Sequence, residues 1–310
     1  MEIFGSLSLA AVLLAQMSPV GAADPARPPS VAERLGHPKD ARLLVLHADD
    51  LAMAHSVNEA TFEALEQGWV TSASIMVPCP WFPEVAARAQ KSDLDLGVHL
   101  TLTSEWTGYR WRPVSASQPV PTLLDASGYL PLTAPPVVRR ASLADVEKEL
   151  RAQIEQALAA GIAITHLDSH MGTLFQTPEL SALYRRLGRA YDLPVLVTHE
   201  WADDAGVLID RVLGISPGVS PEGWREAYEG LLSPLPPGVY ELIVHLGYDG
   251  DELRAATGNA AGWGSAWRQS DLDLVRDPEF RGFLEREGFI LVGWKELALA
   301  LPGRSAAREP

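Results

Sequence analysis

Leu43-Leu44-Val45-Leu46-His47-Ala48-Asp49-Asp50 is an apolar run that stops at two adjacent carboxylates. A run this rich in Leu and Val reads as a strand covered on both faces, the pattern of a parallel sheet wrapped by helices. The two like charges at its C-terminal edge repel one another unless a cation lies between them, one member holds a proton, or water surrounds both. The pair alone leaves these three readings open, and the flanking chain has to decide among them.

Beyond it, strand and helix signals alternate. Ser56 is placed to cap a helix over 57–67 that Gly68 ends. A strand follows over 71–77, and Cys79-Pro80-Trp81-Phe82-Pro83 breaks it before a short helix over 84–91. In the strand 93–101 a period of two puts Asp95, Gly97, His99 and Thr101 on one face. Residues 104–136 carry Trp106, Tyr109 and Trp111 without a clear period, and a loop of that length in a compact domain usually has a function. Ser142 caps an amphipathic helix over 142–160, and the strand 162–169 that follows places His166, Asp168 and His170 on one face. Helix 178–191, strand 194–199 ending in His199, helix 221–232, strand 239–245 ending in His245, helix 277–287, strand 289–292 and helix 294–301 complete the chain. Seven strands alternating with helices predict an α/β fold with a parallel sheet, closed as a (β/α) barrel or left open. Asp49, Asp50, His99, His170, His199 and His245 all fall at strand C-terminal ends, where α/β barrels carry their active sites.

The 310 residues suit one large α/β domain or two small ones, and no internal repeat is found. With 40 acidic against 25 basic residues, the net charge of -15 disfavours nucleic acid, anionic membranes and polyanionic polymers as partners. The single cysteine, Cys79, excludes an intramolecular disulfide and a thiolate metal cluster, so any metal falls to His and carboxylate. Residues 1–23 read as an export signal, with an apolar run from Ile3 to Met17 and cleavage after Ala22 or Ala23, although Glu2 stands where a basic residue is usual. That run is shorter than the ~20 residues a bilayer span needs. The expectation is a periplasmic or secreted protein without a membrane span after signal removal, or a cytoplasmic one if the signal is not used. Residues 24–40 read as an unstructured lead, 41–301 as the (β/α) barrel domain and 302–310 as an unstructured tail.

Three ligands suffice for a catalytic metal that keeps one position open, and a carboxylate with two imidazoles is one way to supply them. Asp50, His99 and His170 are the candidates. Mixed nitrogen and oxygen donors suit one Zn²⁺ or a neighbouring transition ion such as Mn²⁺ better than Mg²⁺. Asp168, two residues before His170 on the same face, is placed either to orient a ligand or to make a simple strand-edge hydrogen bond.

The segments HADD (47–50), VTSASIMVPCPWF (70–82), LGVHLTLTSEW (96–106), GIAITHLDSHMG (161–172) and IVHLGYD (243–249) resemble, in that order, the YdjC-like carbohydrate deacetylases, the family that includes chitooligosaccharide deacetylase. The resemblance runs from Arg42 to Leu299. It implies a single irregular, TIM-like (β/α) barrel of about seven parallel strands that binds one divalent ion, zinc, magnesium or manganese, and deacetylates N-acetylated sugars. By position it makes Asp50, His99 and His170 the metal ligands, Asp49 the general base and His245 the general acid. The chemistry agrees: a divalent ion acidifies water and polarises an acyl carbonyl, Asp49 accepts a proton and His245 protonates the leaving amine. Backbone N–H groups in the turns after Asp50 or Val77 are the expected donors to the developing oxyanion. Trp106, Tyr109, Trp111, Trp201, Trp263 and Trp267 follow strands, and each either stacks on a pyranose ring or plugs the core beneath a loop. The partner is then a small carbohydrate, and a homo-oligomer is compatible.

Three departures from the family pattern surround the site. Leu51-Ala52 replaces the common Phe-Gly, Gly172 stands where many members have a further His, and Leu246-Gly247 replaces Pro-Gly. Competing readings are another metal hydrolase on a similar barrel, acting on esters or other amides, and an exported sugar-binding protein without chemistry. A pure binder needs neither Asp49 nor His245 beside the ligands.

Overall fold

The computed structural model describes residues 29–115, 119–197, 207–215 and 217–301. Nine strands occur among them: β1 Arg42–Leu51, β2 Ser72–Ile75, β3 Leu96–Leu100, β4 Ile164–Ser169, β5 Leu196–Val197, β6 Val207–Leu208, β7 Arg211–Leu213, β8 Gly238–Val244 and β9 Phe289–Leu291. Seven of them form one sheet in the order β4-β3-β2-β1-β8-β7, with β9 on the N-terminal half of β1. Every pairing is parallel. The sheet edges curl toward each other through β5 and β6. Leu167 of β4 donates to Pro194 O at 3.0 Å, β5 pairs with β6, and Asp210 between β6 and β7 donates to Val239 O of β8 at 2.8 Å. The sheet is therefore an irregular barrel.

Alternation along β1 explains its apolar run. Leu44, Leu46 and Ala48 pack outward under the helices, while Leu43 and Val45 face inward with Val239, Ile209 and Trp294. Both faces are covered, as the unbroken apolar pattern requires. The inner face then changes character along the barrel axis, with apolar residues filling the N-terminal end and His47 and Asp49 following Leu43 and Val45 toward the C-terminal end. On β8 the same climb runs Val239, Glu241, Ile243, His245.

Helices 178–191, 278–286 and 143–159 lie within a residue or two of the expected spans, the last with Ser142 accepting from Asp145 N. Two expectations need correction, and two sets of elements were not foreseen. Residues 24–40 are not wholly unstructured: Ser30 and Glu33 form a capping box on the helix Val31–Arg34, and Val31 and Ala32 plug the apolar end of the barrel. Ser56 does not cap the first long helix, which begins at His55; Glu252 takes that place from outside, accepting from His55 N and Ser56 N at 2.9 Å each. Strands β6 and β7, at two and three residues, are too short to carry a period. Finally, residues 245–277 contain two helices not expected, Asp251–Thr257 and Ser265–Arg276. The second buries Arg268 and Asp271 along with Trp267, Leu272 and Leu274, so its inward stripe is half polar and gives no apolar period. No helix among the described residues is long and apolar enough to cross a membrane.

Candidate active site

In a regular strand Asp49 and Asp50 would point to opposite faces. Here the β1–β2 register slips between Ala48 and Leu51, and Asp50 adopts a φ of 67°. This bulge turns both carboxylates into one cavity of about 690 Å³ at the C-terminal end of the barrel. Ala52 follows with a φ of 84°, in the region that favours glycine, and holds it by donating to the buried Asn58 Oδ1 at 2.8 Å. The family's Phe-Gly places glycine at this position, so the departure noted above is tolerated at a cost of about 1 kcal/mol.

Asp50, His99 and His170 come together in that cavity as three buried side chains. Asp50 Oδ1 lies 3.5 Å from His99 Nε2 and 3.8 Å from His170 Nε2. Each imidazole is turned by a contact at its other nitrogen. His99 Nδ1 meets Asp168 Oδ1 at 2.6 Å and Ser74 Oγ at 3.1 Å, and His170 Nδ1 meets Thr103 Oγ1 at 2.9 Å. The contact at Nδ1 leaves Nε2 as the His99 nitrogen turned toward Asp50. Asp50 Oδ2 accepts from Arg268 Nη2 at 2.6 Å, while Oδ1 is buried without a hydrogen-bond partner. An orphaned carboxylate oxygen facing two oriented imidazole nitrogens fits a metal ion of the kind these donors prefer. Burial would push the Asp50 pKa up, but Arg268, then His245, His170 and His99, hold it well below the usual carboxylate range.

Two further groups of potential ligands lie nearby, His47-His166-Asp168 and Asp49-His99-Asp168, of which the second shares His99 with this one. The first fits a metal poorly. Both ring nitrogens of His47 are engaged by Ser72, Ser74 and Asp168, and His166 is pressed so tightly on Gly97 that a Cβ there would meet its ring at 2.4 Å.

Asp49 Oδ1 lies 3.3 Å from His47 Nε2 and accepts from Ser74 Oγ at 3.4 Å, and its Oδ2 lies 4.0 Å from His245 Nε2. Asp271 fixes the backbone at His245 by accepting from its N–H at 2.8 Å, and is itself held by Tyr228 and Trp224. Burial lowers the His245 pKa, against the pull of Asp50. His47 bridges Asp49 and Asp168, which outweigh burial and raise its pKa well above the ordinary value.

The six candidate aromatics divide. Trp106 and Trp263 line the cavity. Trp111 is buried and donates to Thr103 O at 2.8 Å, so it braces the strand end that carries the His170 contact. Tyr109 ties its loop to Met53 O at 2.8 Å, and Trp267 is buried edge-on against Trp224. Trp201 and His199 lie outside the described residues. The sequence reading did not single out Arg268, Asp271, Glu105, Glu241 or the role of His47. Glu105 lines the cavity 3.5 Å from His170 Nε2. It sits inside the LGVHLTLTSEW segment, and a carboxylate two residues past Thr103 was the available signal.

Glu241 also lines the cavity, with Oε1 accepting from Trp294 Nε1 at 3.1 Å and Oε2 unpartnered. Burial raises its pKa to about 7, although the nearby His47 opposes this. A carboxyl that is harder to ionise when folded makes stability fall as pH rises from the unfolded value of 4.5 through about 7. Glu241→Gln removes that term, so the variant is expected to gain about 1–3 kcal/mol relative to the parent between pH 5 and pH 8. Urea midpoints at the two pH values check this, and an unchanged difference would count against it.

Residues 43–286 match the family model described as YdjC-like protein. A carbohydrate deacetylase of Thermus thermophilus is 35% identical over 276 residues, 84% of this chain and 95% of that protein. A carbohydrate deacetylase of Thermoanaerobacter pseudethanolicus is 27% identical over 263 residues, 83% and 99% respectively. A crystal structure from Enterococcus faecalis V583, of a protein provisionally assigned to cellobiose-phosphate cleavage, superposes with a TM-score of 0.70 at 24% identity over 83% of this chain and 99% of that one. At that identity the likeness speaks for the fold alone.

Proposed function

This chain belongs to the YdjC-like protein family, and from that premise we propose that it is a metal-dependent hydrolase removing acetyl groups from N-acetylated sugars or oligosaccharides. The observation that carries the proposal is the unpartnered Asp50 Oδ1 facing His99 and His170, with Asp49 and His245 on the same cavity. Asp50, His99 and His170 would hold the ion, and their mixed donor set favours zinc. When bound, the ion supplies a Lewis acid that acidifies water and polarises the acyl carbonyl.

The remaining steps belong to the protein. Asp49 takes the proton of the attacking water at Oδ2, the oxygen turned away from the contacts of Oδ1 with His47 and Ser74. His245 gives a proton to the departing nitrogen, which leaves poorly as an unprotonated amide anion. The separation of 4.0 Å between Asp49 Oδ2 and His245 Nε2 is short enough for the proton gained by one to restore the other through one water. Trp106 and Trp263 offer ring faces to the sugar. The leader-like composition of residues 1–23 supports action outside the cytoplasm.

The test is acetate release from a panel of N-acetylated mono- and oligosaccharides by protein stripped of metal and reloaded with Zn²⁺, Mn²⁺ or Mg²⁺. Release that requires metal and is greatest with zinc is expected. Tight metal binding without cleavage of any N-acetylated sugar would sink the proposal.

A further inference from the structure

Arg268 is the only lysine or arginine among the described residues lining the cavity. Its side chain is fully buried and two of its arms are fixed, with Nε donating to Trp263 O at 2.8 Å and Nη2 to Asp50 Oδ2 at 2.6 Å. The third nitrogen, Nη1, is buried and has no partner. A guanidinium is planar, so fixing Nε and Nη2 also fixes the direction of Nη1. Its route to the site depends on Gly247, where a Cβ would meet Leu253 at 2.8 Å and Arg268 at 3.1 Å.

Of the backbone donors expected to receive the acyl oxygen, four are already in use, and no residue of 51–54 or 76–81 lines the cavity. Ala52 N donates to Asn58, Met53 N to Asp50 O at 3.0 Å, Met76 N to Leu51 O at 2.7 Å and Cys79 N to Met76 O at 3.0 Å. Pro78 and Pro80 have no N–H. An oxygen entering beside Asp50 therefore meets the charged, unpaired N–H of Arg268 in place of a backbone pair.

Resting on the deacetylase reading, we propose that Arg268 is a catalytic residue. Its Nη1 N–H holds the substrate's acyl oxygen and stabilises the negative charge that builds there as the carbonyl is attacked. Its Nη2 keeps Asp50 turned so that Oδ1 stays free. A preorganised cationic donor in a water-poor wall acts mainly on the transition state, so its removal lowers kcat more than it raises KM.

Arg268→Lys separates these two tasks, because lysine keeps a cation beside Asp50 but has no second fixed arm. Three quantities are measured on parent and variant: zinc affinity of the stripped chain by calorimetry, kcat and KM for acetate release, and acetate affinity of the zinc-loaded chain. The expected result is zinc affinity within about threefold of the parent, kcat down about 10²- to 10³-fold with KM within about threefold, and acetate bound at least about tenfold more weakly. Turnover that recovers at saturating zinc would mean that Arg268 acts only through Asp50, and would overturn the proposal. So would a raised KM at unchanged kcat, which places the contact elsewhere on the sugar. If the parent releases no acetate, the deacetylase reading fails by itself, and acetate binding still decides: equal affinity in parent and variant, or none in either, overturns the role of Nη1. Should the lysine variant not fold, Arg268→Gln is held to the same kcat, KM and acetate criteria at saturating zinc.

Discussion

Replacing Asp49 by asparagine is expected to lower kcat for acetate release by about 10²- to 10⁴-fold while zinc affinity stays close to the parent's. Asparagine has the same shape and can still meet His47 and Ser74, which contact Asp49 Oδ1 at 3.3 and 3.4 Å. What it loses is a proton acceptor at the position of Oδ2, 3.8 Å from His99 Nε2 and 4.0 Å from His245 Nε2. The free ligand oxygen belongs to Asp50, so the ion is expected to bind as before. Steady-state kinetics beside a calorimetric zinc titration make the check. Turnover within tenfold of the parent would show that another group serves as base, and a large loss of zinc affinity would make Asp49 a ligand.

The second large effect is expected from Asp168→Asn, with the opposite signature. Asp168 is buried between two imidazoles, its Oδ1 2.6 Å from His99 Nδ1 and its Oδ2 3.2 Å from His47 Nε2. Burial would raise its pKa, but His99 and His47 overcome this and hold it far below the ordinary carboxylate range. An anionic partner at Nδ1 fixes the ring and makes Nε2 a stronger donor, so a neutral amide is expected to weaken metal binding about 10- to 100-fold. Turnover at saturating metal should be much less affected than in Asp49→Asn. Competition against a chromophoric chelator measures the affinity, and an unchanged value would reduce Asp168 to a strand-edge hydrogen bond.

The contrast between these variants depends on neighbours that the sequence reading reached to different degrees. Asp168 was visible because it shares a strand face with His170, a relation fixed by a period of two. His47, only two residues before Asp49, was read as part of the apolar run, and its bridging position emerges only when β1 and β4 face each other across the barrel. The aromatic residues were legible as a set but not individually. Loop position made all six equal candidates, whereas packing put Trp106 and Trp263 on the cavity and gave Trp111, Tyr109 and Trp267 structural contacts.

By itself the sequence determined a parallel α/β fold and the polar strand ends, with Asp50, His99 and His170 as candidate ligands, while the closed barrel and the places of Asp49 and His245 came from the resemblance of its motifs. The strand ends and faces follow from local periodicity and chain order, which act over a few residues. Only the tertiary structure showed both carboxylates on one cavity, because a bulge at φ 67° turns them there and Arg268 takes one oxygen of Asp50. Arg268 lies 218 residues away on a helix whose inward stripe is half polar. A buried cation far along the chain leaves no local pattern, and its position is fixed only when the helix brings it against Asp50.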